Sequence, residues 1–329
     1  MRPEIASGLN PEALHLILHP TEQCNFRCTY CYERFDIGRM PPDVIAGIKR
    51  LLARRHDLRQ LHIGWFGGEP LVALDVIRVL SRAFQTHSEL HGIDYSADIT
   101  TNGYRLTAPV MRELVGFGVS HYQISMDGDK PCHDLTRLRA NGEGSFDTIW
   151  KNLSDVMGTD LEFKITLRIH YHNDNLDSID ALIDRLVAAF PGDERLELYF
   201  KNVSPLGSAN DKNFPFVERE RRKAVETRFA ERVDGRLPVM GGLAGTGYVC
   251  YACRPNSLVI RADGTISKCT VALYDDRNMM GRLLPDGTLD LDQSKLQPWI
   301  EILLNGTDEG RACPVKCLPQ AETTGIAAK

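Results

Sequence analysis

Six apolar segments, each followed by a segment of helical periodicity, constrain the fold of this chain more than any other feature. The predicted strands are residues 14–19, 60–66, 95–101, 121–125, 163–171 and 195–203. The predicted helices are residues 41–54, 71–87, 109–117, 145–157, 176–189 and 217–233, with Ser145 as the cap of its helix. Successive strand–helix units form a parallel sheet with right-handed crossovers, and functional loops gather at the carboxyl ends of its strands.

The pattern changes after the sixth unit. Residues 235–247 are rich in glycine and predict a linker. Beyond it, short strands at 257–261 and 265–268 flank the turn Ala262-Asp263-Gly264. We therefore expect an α/β domain at 11–235 and a small cysteine-rich α+β extension at 236–329.

Composition excludes several classes of protein. A net charge of −5 gives no basic surface for nucleic acid. No apolar run reaches membrane-spanning length, and the first ten residues lack the apolar core of a secretion signal. We expect a soluble cytoplasmic protein without nucleic-acid or membrane partners. Nine cysteines in such a protein indicate metal or redox chemistry rather than disulfides.

Three of these cysteines, Cys24, Cys28 and Cys31, have the spacing C-x3-C-x2-C. Three thiolates in one tight loop can hold one small metal cluster. A 4Fe–4S cluster takes four outside ligands, so three thiolates leave one iron open. That iron can bind a small molecule through an amine and a carboxylate and pass it an electron. A structural zinc site is the alternative, although zinc sites usually show C-x2-C or C-x4-C pairs.

With Tyr30 as the aromatic residue before Cys31, this run resembles the signature of the radical S-adenosylmethionine (SAM) enzymes. The resemblance implies that the open iron chelates SAM and that one electron cleaves it to methionine and a 5′-deoxyadenosyl radical, which abstracts hydrogen from substrate. The protein itself binds and orients the cofactor and the substrate, and it excludes side reactions. It also implies a partial (β/α)6 TIM-type barrel and an electron donor such as flavodoxin or ferredoxin.

Further motifs follow the predicted strands. Gly67-Gly68-Glu69-Pro70 follows the second strand, where glycines let the backbone approach a ligand closely. The resemblance implies that this motif lines the amino group of SAM, that Ser125 contacts SAM, and that Arg137 pairs with its carboxylate. A surface ion pair of Arg137 with Asp134 is the alternative. The predicted cofactor-binding residues are Tyr30, Gly67, Gly68, Glu69, Pro70, Thr101, Asn102, Ser125, Asp127, Arg137 and Arg168. His170 and His172 are left unassigned.

A second set of cysteines lies in the extension: Cys250, Cys253, Cys269, Cys313 and Cys317. Cys253, Gly264 and Cys269 fit C-x10-G-x4-C, and a hairpin between them brings the thiols together. This resembles the extension called SPASM, or its shorter twitch form, which holds auxiliary 4Fe–4S clusters. Five thiols cannot fill two clusters, so we expect one, ligated by Cys250, Cys253, Cys269 and Cys317. Cys313 is either a spare or the true fourth ligand, and a structural zinc site is the alternative. The ninth cysteine, Cys132, is expected to be a buried thiol.

The order S-x-D-G, H-D-x-x-R and G-x-G-S-F-D resembles anaerobic sulfatase maturases and peptide-modifying maturases. Maturation of a ribosomally made peptide by crosslink, thioether, epimerisation or oxidation is the leading interpretation. In sulfatase maturases an aspartate proposed as the base follows the cysteine at position 269; here Thr270 stands there, which makes that activity the second choice. A non-catalytic iron–sulfur redox protein is the alternative of another class, but it needs no ligand pocket. No catalytic acid or base is predicted.

The expected partner is a peptide or protein substrate. The ~13 residues before the first strand are too few for a domain that reads a leader peptide. A separate leader-peptide-binding protein, or the barrel mouth with the extension, would supply that recognition. The loop at 204–216 follows the sixth strand and could touch substrate.

Overall fold

The computed structural model describes residues 2–241 and 247–320. Its strands are β1 Ala13–Leu18, β2 Gln60–Trp65, β3 Asp94–Thr101, β4 Val119–Met126, β5 Lys164–Tyr171, β6 Leu196–Asn202, β7 Ser257–Ile260, β8 Thr265–Ser267, β9 Met279–Leu283 and β10 Leu289–Leu291. Its helices are α1 Pro3–Gly8, α2 Pro42–Ala53, α3 Leu74–His91, α4 Ala108–Gly116, α5 Lys130–Thr136, α6 Phe146–Met157, α7 Leu176–Ala189, α8 Arg219–Val233, α9 Gln293–Asn305 and α10 Asp308–Ala312.

The first six strands pair in sequence order, each parallel to the next. A helix or helical segment follows each of them, so the predicted α/β architecture with six strand–helix units is confirmed. Strand β6 lies at one edge of the sheet and β10 at the other, so the sheet is not closed. This open sheet of parallel strands is consistent with a partial TIM-type barrel.

The two faces of the parallel strands differ in chemistry. On β5, Ile165, Leu167 and Ile169 are fully buried in the main hydrophobic core beneath the helices. Thr166, Arg168 and His170 alternate with them and lie on the other face. A buried parallel strand is usually apolar on both sides. This face is polar instead, which suits the lining of a binding cavity.

The extension continues the same sheet. Strand β7 pairs in parallel with β1, and β8 pairs antiparallel with β7, as the predicted hairpin requires. Strand β9 pairs antiparallel with β8, and β10 pairs antiparallel with β9 at the edge of the sheet. The boundary at residue 235 between the two predicted domains stays a prediction. Strand β7, which lies beyond this boundary, is hydrogen-bonded to β1, which lies before it. Residues 242–246 of the predicted linker and residues 321–329 of the predicted extension lie outside the described residues.

One predicted helix cap is wrong. The Ser145 side chain does not cap α6, because its hydroxyl donates to the carbonyl of Arg137. Asp134 takes that place: its Oδ1 accepts from the backbone N–H groups of Ser145 and Phe146, at 2.7 and 2.9 Å. Capping from a residue distant in sequence has no local signature, so the sequence pointed to the nearest hydroxyl.

Within residues 2–241 and 247–320, no helix has both the length and the apolar character needed to cross a bilayer.

Candidate active site

The loop after β1 carries Cys24, Cys28 and Cys31, and the loop after β2 packs directly on it. Gly67 has φ +109°, and a Cβ there would lie 2.3 Å from the carbonyl oxygen of Thr21. A Cβ on Gly68 would lie 2.6 Å from the carbonyl oxygen of Glu22. The sequence suggested that these glycines allow close approach of a ligand. In the structure they allow close approach of the cysteine loop.

Gly68→Ala is therefore expected to displace the cysteine loop and to lower both the thermal midpoint and the iron content of anaerobically reconstituted protein. Overpacking of this kind usually costs about 1–3 kcal/mol. Gly38→Ala is the matched control, because a Cβ at Gly38 meets no atom within 4 Å. Thermal unfolding and iron analysis of both variants test this, and equal behaviour of the two would contradict the packing role of Gly68.

Glu69 joins the loops after β2 and β3. Its buried carboxylate accepts hydrogen bonds from the Thr101 hydroxyl at 2.7 Å, the Asn102 backbone N–H at 2.7 Å and the Leu71 backbone N–H at 3.0 Å. Burial raises the pKa of Glu69, although these bonds oppose the shift. The Asn102 side chain donates to Asn25 in the cysteine loop, 2.9 Å away. Pro70 begins the 3-10 turn that precedes α3.

A second buried network surrounds Asp127, which follows β4. Its carboxylate accepts from the hydroxyls of Tyr30, at 2.8 and 2.9 Å, and Thr136, at 2.7 Å. Burial alone would raise the pKa of Asp127, but contact with His170 and the charge of Arg137 hold it well below its usual range. The aromatic residue of the cysteine motif is thus anchored to the loop after the fourth strand.

Arg137 lies inside this network. Its Nη1 donates to the Tyr30 hydroxyl at 2.9 Å and lies 3.9 Å from Asp127 Oδ1. Only 6% of the residue is exposed. The alternative of a surface ion pair with Asp134 is therefore wrong, because Asp134 is engaged in capping α6. Pairing of Arg137 with the SAM carboxylate stays a prediction.

Ser125 and Arg168 are the remaining predicted contacts, and their backbones are register partners on β4 and β5. Ser125 is buried, and Arg168 is half-buried with its Nε buried and without a hydrogen-bond partner. The structure thus brings all eleven predicted cofactor-binding residues to the carboxyl ends of β1 to β5 or the loops that follow them. Their contacts with a cofactor stay predictions.

The three thiols of the cysteine loop, which packs against these residues, are half-buried. Cys24 Sγ accepts a hydrogen bond from the backbone N–H of Phe26 at 3.3 Å. Burial raises the pKa of Cys31 to about 12 and also raises that of Cys28. Metal binding would displace these protons. Among the described residues, no three His, Cys, Asp or Glu side chains converge on a single-ion site. The set of three soft donors in one short loop fits an iron–sulfur cluster.

The thiols of the extension do not all share one surface. Burial, with the neighbouring thiols of Cys269 and Cys313, raises the pKa of Cys250 to about 11. Cys253 is fully buried, and its Sγ lies 3.5 Å from the carbonyl oxygen of Arg311. Cys317 is exposed. Cys313 is half-buried, as Cys250 and Cys269 are, and thus resembles the other thiols in burial more than the sequence-based choice, Cys317, does. The remaining cysteine, Cys132, is half-buried rather than buried.

The loops that carry the two sets of thiols are joined by hydrogen bonds. The Tyr32 hydroxyl, next to Cys31 in the chain, donates to the carbonyl of Thr270, next to Cys269, at 3.0 Å. The hydroxyl of Tyr251 lies 2.8 Å from that of Thr270 and accepts its backbone N–H. The loop at 204–216 also packs here, because Asn210 donates to the carbonyl of Thr29 at 2.7 Å.

Three ionisable residues beside the cysteine motif were missed by the sequence analysis. Glu22 and Arg261 form a buried two-point ion pair, at 2.7 and 2.8 Å, between the cysteine loop and the turn after β7. Glu33 has a buried Oε2 without a partner, and burial raises its pKa to about 8. Both acids flank the cysteine motif, but only the three-dimensional contacts distinguish them from surface residues.

Comparison with known proteins agrees with this site. Residues 18–186, just over half of the chain, match the family model described as Radical SAM superfamily. The chain is 26% identical over 251 residues to a GTP 3′,8-cyclase of Desulforamulus reducens, covering 74% of this chain and 70% of that protein. It is 24% identical over 300 residues to a cysteine-type anaerobic sulfatase-maturating enzyme of Clostridium novyi, covering 80% and 75%.

Two solved structures share the fold. One is anSMEcpe, an anaerobic sulfatase maturase, with bound AdoMet and the Cp18Cys peptide: TM-score 0.69, 19% identity, 93% of this chain and 87% of that chain. The other is Streptococcus suis SuiB bound to the precursor peptide SuiA, with a TM-score of 0.60 and 15% identity. The match covers 89% of this chain and 68% of that chain. At these identities the likeness concerns the fold.

Proposed function

Because this chain belongs to the radical SAM superfamily, we propose that it cleaves SAM reductively and uses the product radical to abstract hydrogen from a peptide or protein. Cys24, Cys28 and Cys31 would hold a 4Fe–4S cluster with one open iron. That cluster would supply the electron for cleavage of SAM. Maturation of a ribosomally made peptide is the activity that we favour.

One observation carries this proposal: the loops after β1 to β4 and the thiols of the extension meet at the same end of the sheet, joined by the Tyr32–Thr270 hydrogen bond. A carrier of electrons needs no such pocket. In this arrangement Glu69 and Asn102 hold the loop after β2 against the cysteine loop. Asp127 fixes Tyr30, and Arg137 and Ser125 line the mouth as the groups that would orient SAM.

The extension would hold one auxiliary 4Fe–4S cluster. We propose Cys250, Cys253, Cys269 and Cys313 as its ligands, because these four thiols are buried or half-buried whereas Cys317 is exposed. Such a cluster could accept the electron that is released when a substrate radical closes to a bond. An external donor such as flavodoxin or ferredoxin would reduce the first cluster.

A peptide substrate is supported by the two solved structures, each of which contains a bound peptide in an enzyme of the same fold. The loop at 204–216 packs on the cysteine loop and would form one wall of the substrate cleft. A separate leader-peptide-binding protein stays a possible partner in this proposal.

Sulfatase maturation is the second candidate, supported by the Clostridium novyi relative. It is less favoured because Thr270 has no carboxylate to act as a base. Its hydroxyl, backbone N–H and carbonyl oxygen all contact Tyr251 or Tyr32. The GTP 3′,8-cyclase relative makes a nucleotide substrate a competing class.

The proposal predicts that protein reconstituted without oxygen forms 5′-deoxyadenosine and methionine from SAM and dithionite, as measured by chromatography with mass detection. A non-catalytic iron–sulfur protein would form neither. Substrate class is then tested with three additions: a short peptide encoded beside this gene, a cysteine-containing sulfatase peptide, and GTP. A mass change of the first peptide supports peptide maturation. Conversion of only the sulfatase peptide or only GTP would contradict it.

A further inference from the structure

Two cationic side chains lie on the polar face of the sheet, next to the predicted SAM contacts. Register pairing places Ser125, Arg168 and Tyr199 in one row across β4, β5 and β6. His170 and Lys201 are partners in the next row towards the carboxyl ends. Side chains of register partners in a parallel sheet point to the same face. Arg168 and Lys201 therefore lie on one face of adjacent strands, at the end that carries the cysteine loop.

Neither cation has a direct partner in the described part of the chain. Two neighbouring arginines do have partners: Arg137 contacts Tyr30 and Asp127, and Arg222 donates to the carbonyl of Val217. Within residues 2–241 and 247–320, Arg168 and Lys201 form no ion pair and no side-chain hydrogen bond, although both are half-buried. The Nε of Arg168 is completely buried and unpartnered.

The two charges also act on each other. Burial lowers the pKa of Lys201, and the guanidinium of Arg168 lowers it further. Burial and the same guanidinium lower the pKa of His170 to about 4. The carboxylate that opposes the shift of Lys201 belongs to Glu226, whose Oε1 already accepts the Tyr171 hydroxyl at 2.7 Å. Two partly buried cations that have one carboxylate nearby and no direct ion pair are unfavourable unless a ligand supplies a further negative charge.

The position of the pair shows which ligand it would face. Arg168 is beside Ser125, on the side of the predicted SAM pocket. Lys201 is one strand farther out, in the row that follows Arg168 towards the carboxyl ends. The pair thus borders the predicted SAM pocket on the side of β6. A substrate that lies beside SAM on that side would face both cations.

We propose that Arg168 and Lys201 bind a carboxylate of the substrate peptide, either an acidic side chain or the C-terminal carboxylate. This inference rests on the proposed function. The planar guanidinium of Arg168 can donate two parallel hydrogen bonds to one carboxylate, and the ammonium of Lys201 supplies a second charge. Their action is to position the peptide so that the carbon to be attacked lies beside the predicted SAM pocket.

Binding of short blocked peptides to reconstituted, SAM-loaded protein tests this, with calorimetry or ligand-observed NMR as the measurement. One peptide has a central glutamate and an amidated C-terminus, one has glutamine and a free C-terminus, and one has glutamine and an amidated C-terminus. We expect one of the carboxylate-bearing peptides to bind about tenfold tighter than the neutral one. Which of the two it is identifies the source of the carboxylate.

Lys201→Gln should remove this preference and leave the neutral peptide unaffected, and Arg168→Gln should remove the preference as well. Lys164→Gln is the matched control, because Lys164 lies on the same face at the other end of β5 and pairs with Glu197 at 3.4 Å. The affinity for SAM, measured in parallel, should be equal in wild type and Lys201→Gln. Equal binding of all three peptides would overturn the inference. A loss of SAM affinity as the main effect of both variants would also overturn it, and so would binding of GTP alone that depends on Lys201. Formation of 5′-deoxyadenosine in the same preparation reports separately on the proposed function.

Discussion

Replacing Cys24, Cys28 and Cys31 together by alanine is expected to abolish the formation of 5′-deoxyadenosine and methionine from SAM. No other group in the described structure could replace three thiolates in one loop as the holder of an iron with an open site. If the extension holds its own cluster, the variant should retain about half of the iron of the wild type, because each 4Fe–4S cluster needs its own ligands. Iron and sulfide analysis of anaerobically reconstituted protein measures this directly.

Cys132→Ala is the matched control for that experiment. Cys132 is half-buried on α5 and belongs to neither set of thiols, so its loss should change neither the iron content nor the cleavage of SAM. Loss of all iron in the triple variant would refute the auxiliary site. Zinc in place of iron in the wild-type protein, or residual 5′-deoxyadenosine in the triple variant, would contradict the assignment of the first cluster.

The second large effect is expected at the buried ion pair of Glu22 and Arg261. Arg261→Met should destabilise the protein by about 3–5 kcal/mol near neutral pH, since it leaves an unpaired carboxylate in the interior. The carboxylate and the guanidinium are 1% and 6% exposed. Urea unfolding measures the loss. Arg39→Met is the matched control: its ion pair with Asp75 is more than half exposed, and such pairs contribute about 0–1 kcal/mol.

The same pair predicts how stability depends on pH. Burial opposes ionisation of Glu22, but hydrogen bonds from Arg261 and His19 lower its pKa from 4.5 to about 2. A carboxylate with a lowered pKa stabilises the folded state above its unfolded pKa, and this contribution is lost as the pH falls through the folded value. The difference in unfolding free energy between wild type and Arg261→Met should therefore shrink between about pH 5 and about pH 2. A difference that stays constant over this range would contradict the ionised pair.

Much of the fold followed from local patterns. The apolar segments and their helices predicted all six strand–helix units, because alternation and helical periodicity are properties of contiguous residues. The ends of elements were less accurate where distant residues decide them. Asp134 caps α6 from the preceding helix α5, and the helices α1, α5, α9 and α10 were not predicted. In α9 an internal proline, Pro298, hid the helical pattern.

The residues of the candidate site also fall into two groups, those that local motifs reveal and those that only distant contacts define. Cys24, Gly68 and Glu69 stand in contiguous motifs and were found, although the contact of Gly68 with the cysteine loop was not foreseen. Arg261 and Lys201 were missed because an isolated cation in a strand or turn has no signature in the sequence. Only their partners, or the lack of them, give these residues meaning, and those depend on which strands become neighbours.

The pairing of β7 with β1 has a consequence for how this protein could be divided or recombined. Residues 257–260 cover the backbone edge of the first parallel strand, so a shortened version ending at residue 235 would expose a ready template for intermolecular strand addition. The first six strands and the cysteine-bearing extension thus form one continuous sheet, and exchanging extensions between homologues must preserve the pairing of β7 with β1.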